Sequence, residues 1–270
     1  MKKFFKIQIE IKSSEEEEIL IAELSENKYY AFEEENNLLS AYVIEKDFDE
    51  EKLKEILPAK TVFTKYIIVE ENWNQQWESN LKPVIINNFV AIRPSFHEAM
   101  KNVKHDLIIT PKMSFGTGHH ATTHLMVELM ETIDFKNKTV VDFGTGTGVL
   151  AILAEKCGAS EIVGVDYDEW SINNALENIE ANDCHKIKLK QQSSLSGIDE
   201  ADIILANINL NVLKNAAFSM SSILKSGSLL LVSGFLPTDE TEMQKIFEEM
   251  RFVKIITKQL EGWLAILFKK

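Results

Sequence analysis

The sequence predicts an α/β protein in two parts: a small α+β unit, then a mostly parallel sheet with helices on both faces and a hairpin at its end. Three features point there. Residues 140–166 read as strand, glycine turn, helix and strand. From residue 138 onward, strand-like and helix-like stretches alternate, as in a parallel sheet. The first 70 residues run strand, helix, strand, strand, helix, strand instead.

In the first part, residues 4–11 alternate apolar with polar. Ser14 is expected to cap a helix reaching about Leu24, with Ile19, Leu20 and Leu24 on one face. Residues 29–33 and Leu38–Ile44 are strand-like around the turn-prone Asn36-Asn37. Residues 49–57 form a short helix stopped by Pro58, and residues 62–69 are β-branched and alternating. This βαββαβ order predicts a ferredoxin-like domain over residues 1–70 with no catalytic grouping in it. Residues 71–82 hold Trp73 and Trp77 four apart, on one face of an expected linker helix. Core packing of the two indoles is the favoured reading over a peptide- or base-stacking role.

The second part is expected over residues 83–270. Strand-like segments fall at Val84–Ile86, 89–92 and 107–109, and a helix near 124–132. Strands then follow near 139–142, 161–165, 186–190, 202–206 and 228–232, with helices near 148–156, 169–181, 210–224 and 239–250. Residues 252–260 and 263–268 form a hairpin around Glu261-Gly262.

The richest segment is Val140-Val141-Asp142-Phe143-Gly144-Thr145-Gly146-Thr147-Gly148. The helix signal Val149, Leu150, Ile152, Leu153 follows at once. Glycine has no Cβ, so such a turn exposes bare backbone to a ligand. The next strand ends on Asp166, 22 positions after Gly144, near the ~20 expected for a carboxylate that grips ribose hydroxyls. Dinucleotide sites favour the wider G-x-G-x-x-G spacing, which brings a helix N-terminus up to a pyrophosphate. Here the pattern is acid-x-G-x-G-x-G, with no basic residue from 140 to 155. It resembles the first motif of class I S-adenosylmethionine-dependent methyltransferases, whose cofactor carries no phosphate. The terminal hairpin fits that Rossmann-like fold as well.

Composition narrows the class. The chain is 45% hydrophobic and 26% charged, which is globular rather than disordered. No apolar run is long enough for a membrane span, and Lys6 and Glu10 interrupt any signal-peptide core. Cys157 and Cys184 have no metal or redox spacing, so they read as packing thiols in a cytoplasmic protein. The net charge of −13 opposes broad contact with nucleic-acid phosphates. Residues 1–70 hold 17 acids against 10 bases, so they carry −7 and would steer a basic partner; keeping the chain soluble is the alternative.

Two further segments extend the resemblance: Ser114-Phe115-Gly116-Thr117-Gly118-His119-His120-Ala121-Thr122-Thr123, and the strand end Ala206-Asn207-Ile208. With the glycine turn, the tryptophan linker and the N-terminal unit, they resemble the ribosomal protein L-eleven methyltransferase family (PrmA) over essentially the whole chain. The resemblance implies S-adenosylmethionine contacts at Thr123, Gly144, Gly146, Asp166 and Asn207, and no metal. It implies methyl transfer to amines, both lysine side chains and the N-terminal amine, of a basic ribosomal protein, with Asn207 catalytic. Asp166 can accept ribose hydroxyls through its two oxygens. Thr123 can cap a helix or bind a cofactor carboxylate. Asn207 can aim a neutral amine, and His119 or His120 either takes its proton or only orders the loop.

The chain departs from the family pattern at His119 (usually Thr), Ala121 (usually Pro), Thr145 and Thr147 (usually Cys and Ser), and Asn209 (usually apolar). Loss of the proline is expected to free the loop backbone. The rival readings are a class I methyltransferase with another substrate, a nicotinamide oxidoreductase, and a binding module on an inactive fold.

Overall fold

The computed structural model describes residues 3–11, 13–35, 38–58, 61–69, 82–110, 112 and 114–270. The chain forms two compact units, Met1–Glu78 and Ser79–Lys270. The helix expected over 71–82, with Trp73 and Trp77, lies outside the described residues except for Lys82, and so does the Asn36-Asn37 turn.

The first unit runs β1 (Lys3–Glu10), α1 (Ser14–Glu26), β2 (Ala31–Glu35), β3 (Leu38–Ile44), α2 (Glu50–Ile56) and β4 (Phe63–Val69). Its sheet has the order β2-β3-β1-β4, antiparallel throughout. Alternation sends Phe5, Ile7 and Ile9 of β1 and Leu39, Ala41 and Val43 of β3 to one face. There they meet Leu20 and Leu24 of α1 and Leu53 of α2. Ser13, not Ser14, caps α1. Its backbone is still extended, and its hydroxyl accepts from the Glu16 N–H at 3.2 Å.

The second unit opens with β5 (Val84–Ile86), β6 (Val90–Arg93) and β7 (His105–Ile108), a three-stranded sheet in that order. Then come α3 (Ala121–Met130), β8 (Thr139–Phe143), α4 (Val149–Lys156), β9 (Glu161–Asp166), α5 (Glu169–Ala181), β10 (Ile187–Gln191) and β11 (Ala201–Asn207). α6 (Leu210–Ile223), β12 (Leu224–Phe235), α7 (Glu240–Glu249), β13 (Val253–Leu260) and β14 (Trp263–Lys269) complete the chain.

The main sheet has the order β10-β9-β8-β11-β12-β14-β13. Its first five strands are parallel, and β14 runs antiparallel between β12 and β13. This is the class I methyltransferase-like α/β fold. Successive residues serve opposite layers: Val140 and Ile203 face one core, Val141 and Ile204 the other. The hairpin turn takes positive φ at Glu261 (48°) and Gly262 (79°), as a tight two-residue hairpin requires. The chain order reverses direction between β8 and β11, which opens a crevice at the carboxyl ends of the strands. Among the described residues, no helix is long and apolar enough to cross a membrane.

Candidate active site

A cleft of about 410 Å³ occupies that crevice, lined by Gly144 and Gly146 after β8, Asp166 and Tyr167 after β9, Asn207 at the end of β11, and Phe115. Four of the five residues expected at the site therefore share one cavity wall. Thr123 is absent from that wall. It is wholly buried behind it, and its Oγ1 accepts from Asn207 Nδ2 at 3.3 Å.

The glycine turn hangs from β9. The Gly144 and Thr145 N–H groups donate to the Val165 carbonyl at 2.8 and 3.0 Å. Asp166 Oδ2 accepts from the Gly146 N–H at 2.9 Å, and its Oδ1 from the Asp168 N–H at 3.1 Å. Both oxygens thus brace backbone already, and each keeps a lone pair for a further donor. The glycines do more than bare the backbone. A Cβ on Gly144 would stand 2.2 Å from Ile208 Cγ2, and one on Gly146 2.3 Å from the Phe115 carbonyl oxygen. The turn is stripped so that two neighbouring segments can close on it.

One of these is the loop before α3. Thr147 N–H donates to the Phe115 carbonyl at 2.9 Å, and its hydroxyl donates to the Gly116 carbonyl at 2.8 Å. His119 spans from Thr117 Oγ1 (3.2 Å) to the Lys82 carbonyl oxygen (3.0 Å). α3 begins three residues before the expected start because its cap is an imidazole: Thr122 N–H donates to His120 Nδ1 at 3.3 Å. The His120 ring packs edge-on between Phe115 and Trp263, each 5.0 Å away. Neither histidine is among the residues that line the cleft. Ala121 takes the first helical position, where a proline would also fit. With alanine there, the loop is bonded through Thr147, His119 and His120. Asn209 is the cap of α6, its Oδ1 accepting from Val212 N–H at 3.1 Å.

A model of the family described as ribosomal protein L11 methyltransferase (PrmA) matches residues 3–270. The chain belongs to that family. The ribosomal protein L11 methyltransferase of Bacteroides thetaiotaomicron is 35% identical over 260 residues, covering 93% of each chain. That of Chlorobaculum parvum is 37% identical over 269 residues, covering 93% of this chain and 92% of its own. The crystal structure of a ribosomal protein L11 methylase from Lactobacillus delbrueckii subsp. bulgaricus matches with a TM-score of 0.63 at 27% identity, covering 70% of this chain and 98% of that one.

In this PrmA-family chain, Asn174 and Asn178 of α5 and its C-cap Asn182, one turn apart, hold the segment after β7 and the glycine turn. Asn182 exchanges bonds with the backbone of Ile108 (2.9 and 2.6 Å). Asn178 accepts from Thr110 N–H at 3.0 Å and donates to the Thr147 carbonyl at 2.9 Å. Asn174 donates to the Thr110 carbonyl at 3.1 Å. The sequence reading missed them. Their signal was three poor helix formers spaced four apart on one face.

Asp142, at the end region of β8, is wholly buried. Its Oδ2 accepts from Thr145 Oγ1 at 2.7 Å and Ala151 N–H at 3.2 Å, while Oδ1 has no partner among the described residues. Burial, above all, pushes its carboxyl up to about 7, with a further rise from the Asp166 charge. The two hydrogen bonds pull the other way.

Proposed function

We propose that this chain transfers methyl groups from S-adenosylmethionine to amines of ribosomal protein L11, lysine side chains and the N-terminal amine among them. One observation carries the reading. The cleft at the strand ends is lined by acceptors and apolar groups, and its wall as described holds Asp166 and Asp168 but no Lys, Arg or His. Two residues of this wall, Ser114 and Asn207, each carry a buried polar atom, Oγ and Oδ1, with no partner among the described residues. Such orphans are costly unless a donor arrives. A cationic ligand rich in donors suits these groups; the pyrophosphate of a nicotinamide cofactor would find no cation.

When bound, the cofactor supplies a methyl group on a positively charged sulfur. The chain's own residues have three tasks. Asp166, braced by Gly146 and Asp168, offers lone pairs to ribose hydroxyls. Gly144 and Gly146 let the ligand lie against backbone. Asn207, with its amide nitrogen donating to Thr123, is held with Oδ1 free to accept a hydrogen from the incoming amine and so aim its lone pair at the methyl carbon. A lysine amine has an ordinary pKa of ~10.4, and the apolar side of the cleft favours its neutral form, which can attack.

The N-terminal unit is read as a ferredoxin-like domain that captures the substrate. Its β2-β3-β1-β4 order with both helices on one face supports the first point. Its charge of −7 over residues 1–70 supports the second, because it would draw a basic protein. The test is mass spectrometry of L11 incubated with the enzyme and isotopically labelled S-adenosylmethionine. Labelled methyl groups on L11 amines are expected. An unlabelled L11 beside a labelled different acceptor would move the chain to another substrate.

A further inference from the structure

Asp142 has no part in the steps above, yet it sits directly behind the glycine turn. Its surroundings are known on each side. β9 sets Gly164 opposite it and β11 sets Leu205. The turn contributes the Thr145 hydroxyl, and α4 contributes the Ala151 N–H. Among the described residues, the charge acting on it is that of Asp166, which itself holds the Gly146 N–H. Gly164 makes room for Thr145: a Cβ there would lie 3.1 Å from Thr145 Oγ1. The threonine is thus packed with its hydroxyl donating to the carboxylate.

We propose that Thr145 is a positioning residue whose hydroxyl eases ionisation of Asp142 behind the glycine turn, so that cofactor binding is coupled to loss of the Asp142 proton. This rests on reading the cleft as the S-adenosylmethionine site. That cofactor carries a sulfonium and an ammonium against one carboxylate, a net positive charge. An ionised Asp142 in a poorly polarisable interior attracts it across the turn. A proton on Asp142 removes that attraction. Placed on the unpartnered Oδ1, it also leaves Oδ2 a neutral and so weaker acceptor for Thr145 and Ala151, which tie the turn to α4. Burial and Asp166 both favour the protonated acid, and the Thr145 hydroxyl opposes them. With the carboxyl raised to about 7, the balance falls near neutral pH, where one donor decides it.

The test is calorimetric titration with S-adenosylmethionine from about pH 6 to about pH 9, using the full chain, Thr145→Val (similar shape, no donor) and Thr145→Ser (donor kept). Wild-type affinity should rise with pH and level off. Thr145→Val should bind roughly tenfold more weakly near pH 7 and come within about threefold of wild type near pH 9, while Thr145→Ser follows wild type. An equal loss at every pH would mean that the hydroxyl only packs, and overturns the proposal.

A second arm needs no ligand. A folded Asp142 that keeps its proton up to about 7 binds it where the unfolded chain has released it. Its contribution to stability therefore falls as pH rises from about 4 to about 7 and is flat above, measured by denaturant unfolding relative to Asp142→Asn. In Thr145→Val the fall should continue to higher pH. If the window does not move, Thr145 does not control Asp142. If wild type fails to bind the cofactor at any pH while the window does move, it is the reading of the cleft that fails and not the Thr145–Asp142 link.

Discussion

In the N-terminal unit, charged side chains meet in water: Lys54–Glu50 at 2.8 Å and Lys52–Glu55 at 2.9 Å are all more than two-fifths exposed. In the C-terminal unit, the polar groups that matter are buried and bonded to backbone: Asp166 to Gly146, Asn178 to Thr147, Thr147 to Gly116. Exposed pairs contribute little to stability and can be redirected to a partner at small cost. Buried, fully used polar groups fix geometry. The first arrangement suits capture of a protein by its charge. The second suits a reaction that fails when atoms are misplaced by an ångström. The N-terminal residues 1–70 also contain no His or Cys, the residue types that most often carry acid–base or nucleophilic chemistry.

The largest expected effect lies in the buried network. Gly146→Ala drives a methyl group to within 2.3 Å of the Phe115 carbonyl oxygen, so the loop must move off the turn. A loss of about 1–3 kcal/mol in the unfolding transition of the C-terminal unit is expected, together with the loss of measurable cofactor binding. The N-terminal unit, with its own core, should unfold as before. If its transition shifts equally, the two units are not independent.

Next is Asn207→Ala. It keeps the cleft but removes the acceptor proposed to aim the amine. Single-turnover methylation should fall ~10²-fold while cofactor affinity changes much less. A wild-type rate of transfer would reduce Asn207 to a strand-end anchor for Thr123.

How much of this was legible in the residues differs between the units as well. Glycine spacing, the acid at ribose distance and the strand-end asparagine located the cleft because each is a local signal. What stayed hidden were bonds between distant segments. His120 was not read as a helix cap, since capping by imidazole has no pattern like that of Ser or Asp. Thr145 and Thr147 read as small replacements, yet Thr145 donates to Asp142 and Thr147 to the Gly116 carbonyl of the neighbouring loop. Arg93, nearly buried in β6, grips Asp106 with a pair of bonds at 2.8 and 2.9 Å, and a lone arginine in an apolar strand was its only trace. β12 runs from Leu224 to Phe235, well past the expected 228–232, because β11 pairs with it at Leu224 and again from Leu229, and β14 pairs with it from Leu229 to Phe235. In the N-terminal unit, alternation predicted the strands well, but charge alone spoke to its role.

The smallest effect concerns that charge. Raising salt from low ionic strength to about 0.5 M should weaken capture of L11 several-fold through KM and leave cofactor affinity nearly unchanged. A KM insensitive to salt would assign recognition to shape rather than charge.

The division of labour itself is tested most directly by a chain that begins at Ser79, where the second compact unit starts. Cofactor affinity by calorimetry and methylation of intact L11 are measured beside the full chain. Cofactor binding at full strength with methylation of L11 lost is the predicted result. Methylation of L11 by the shortened chain at the full-length rate would contradict it.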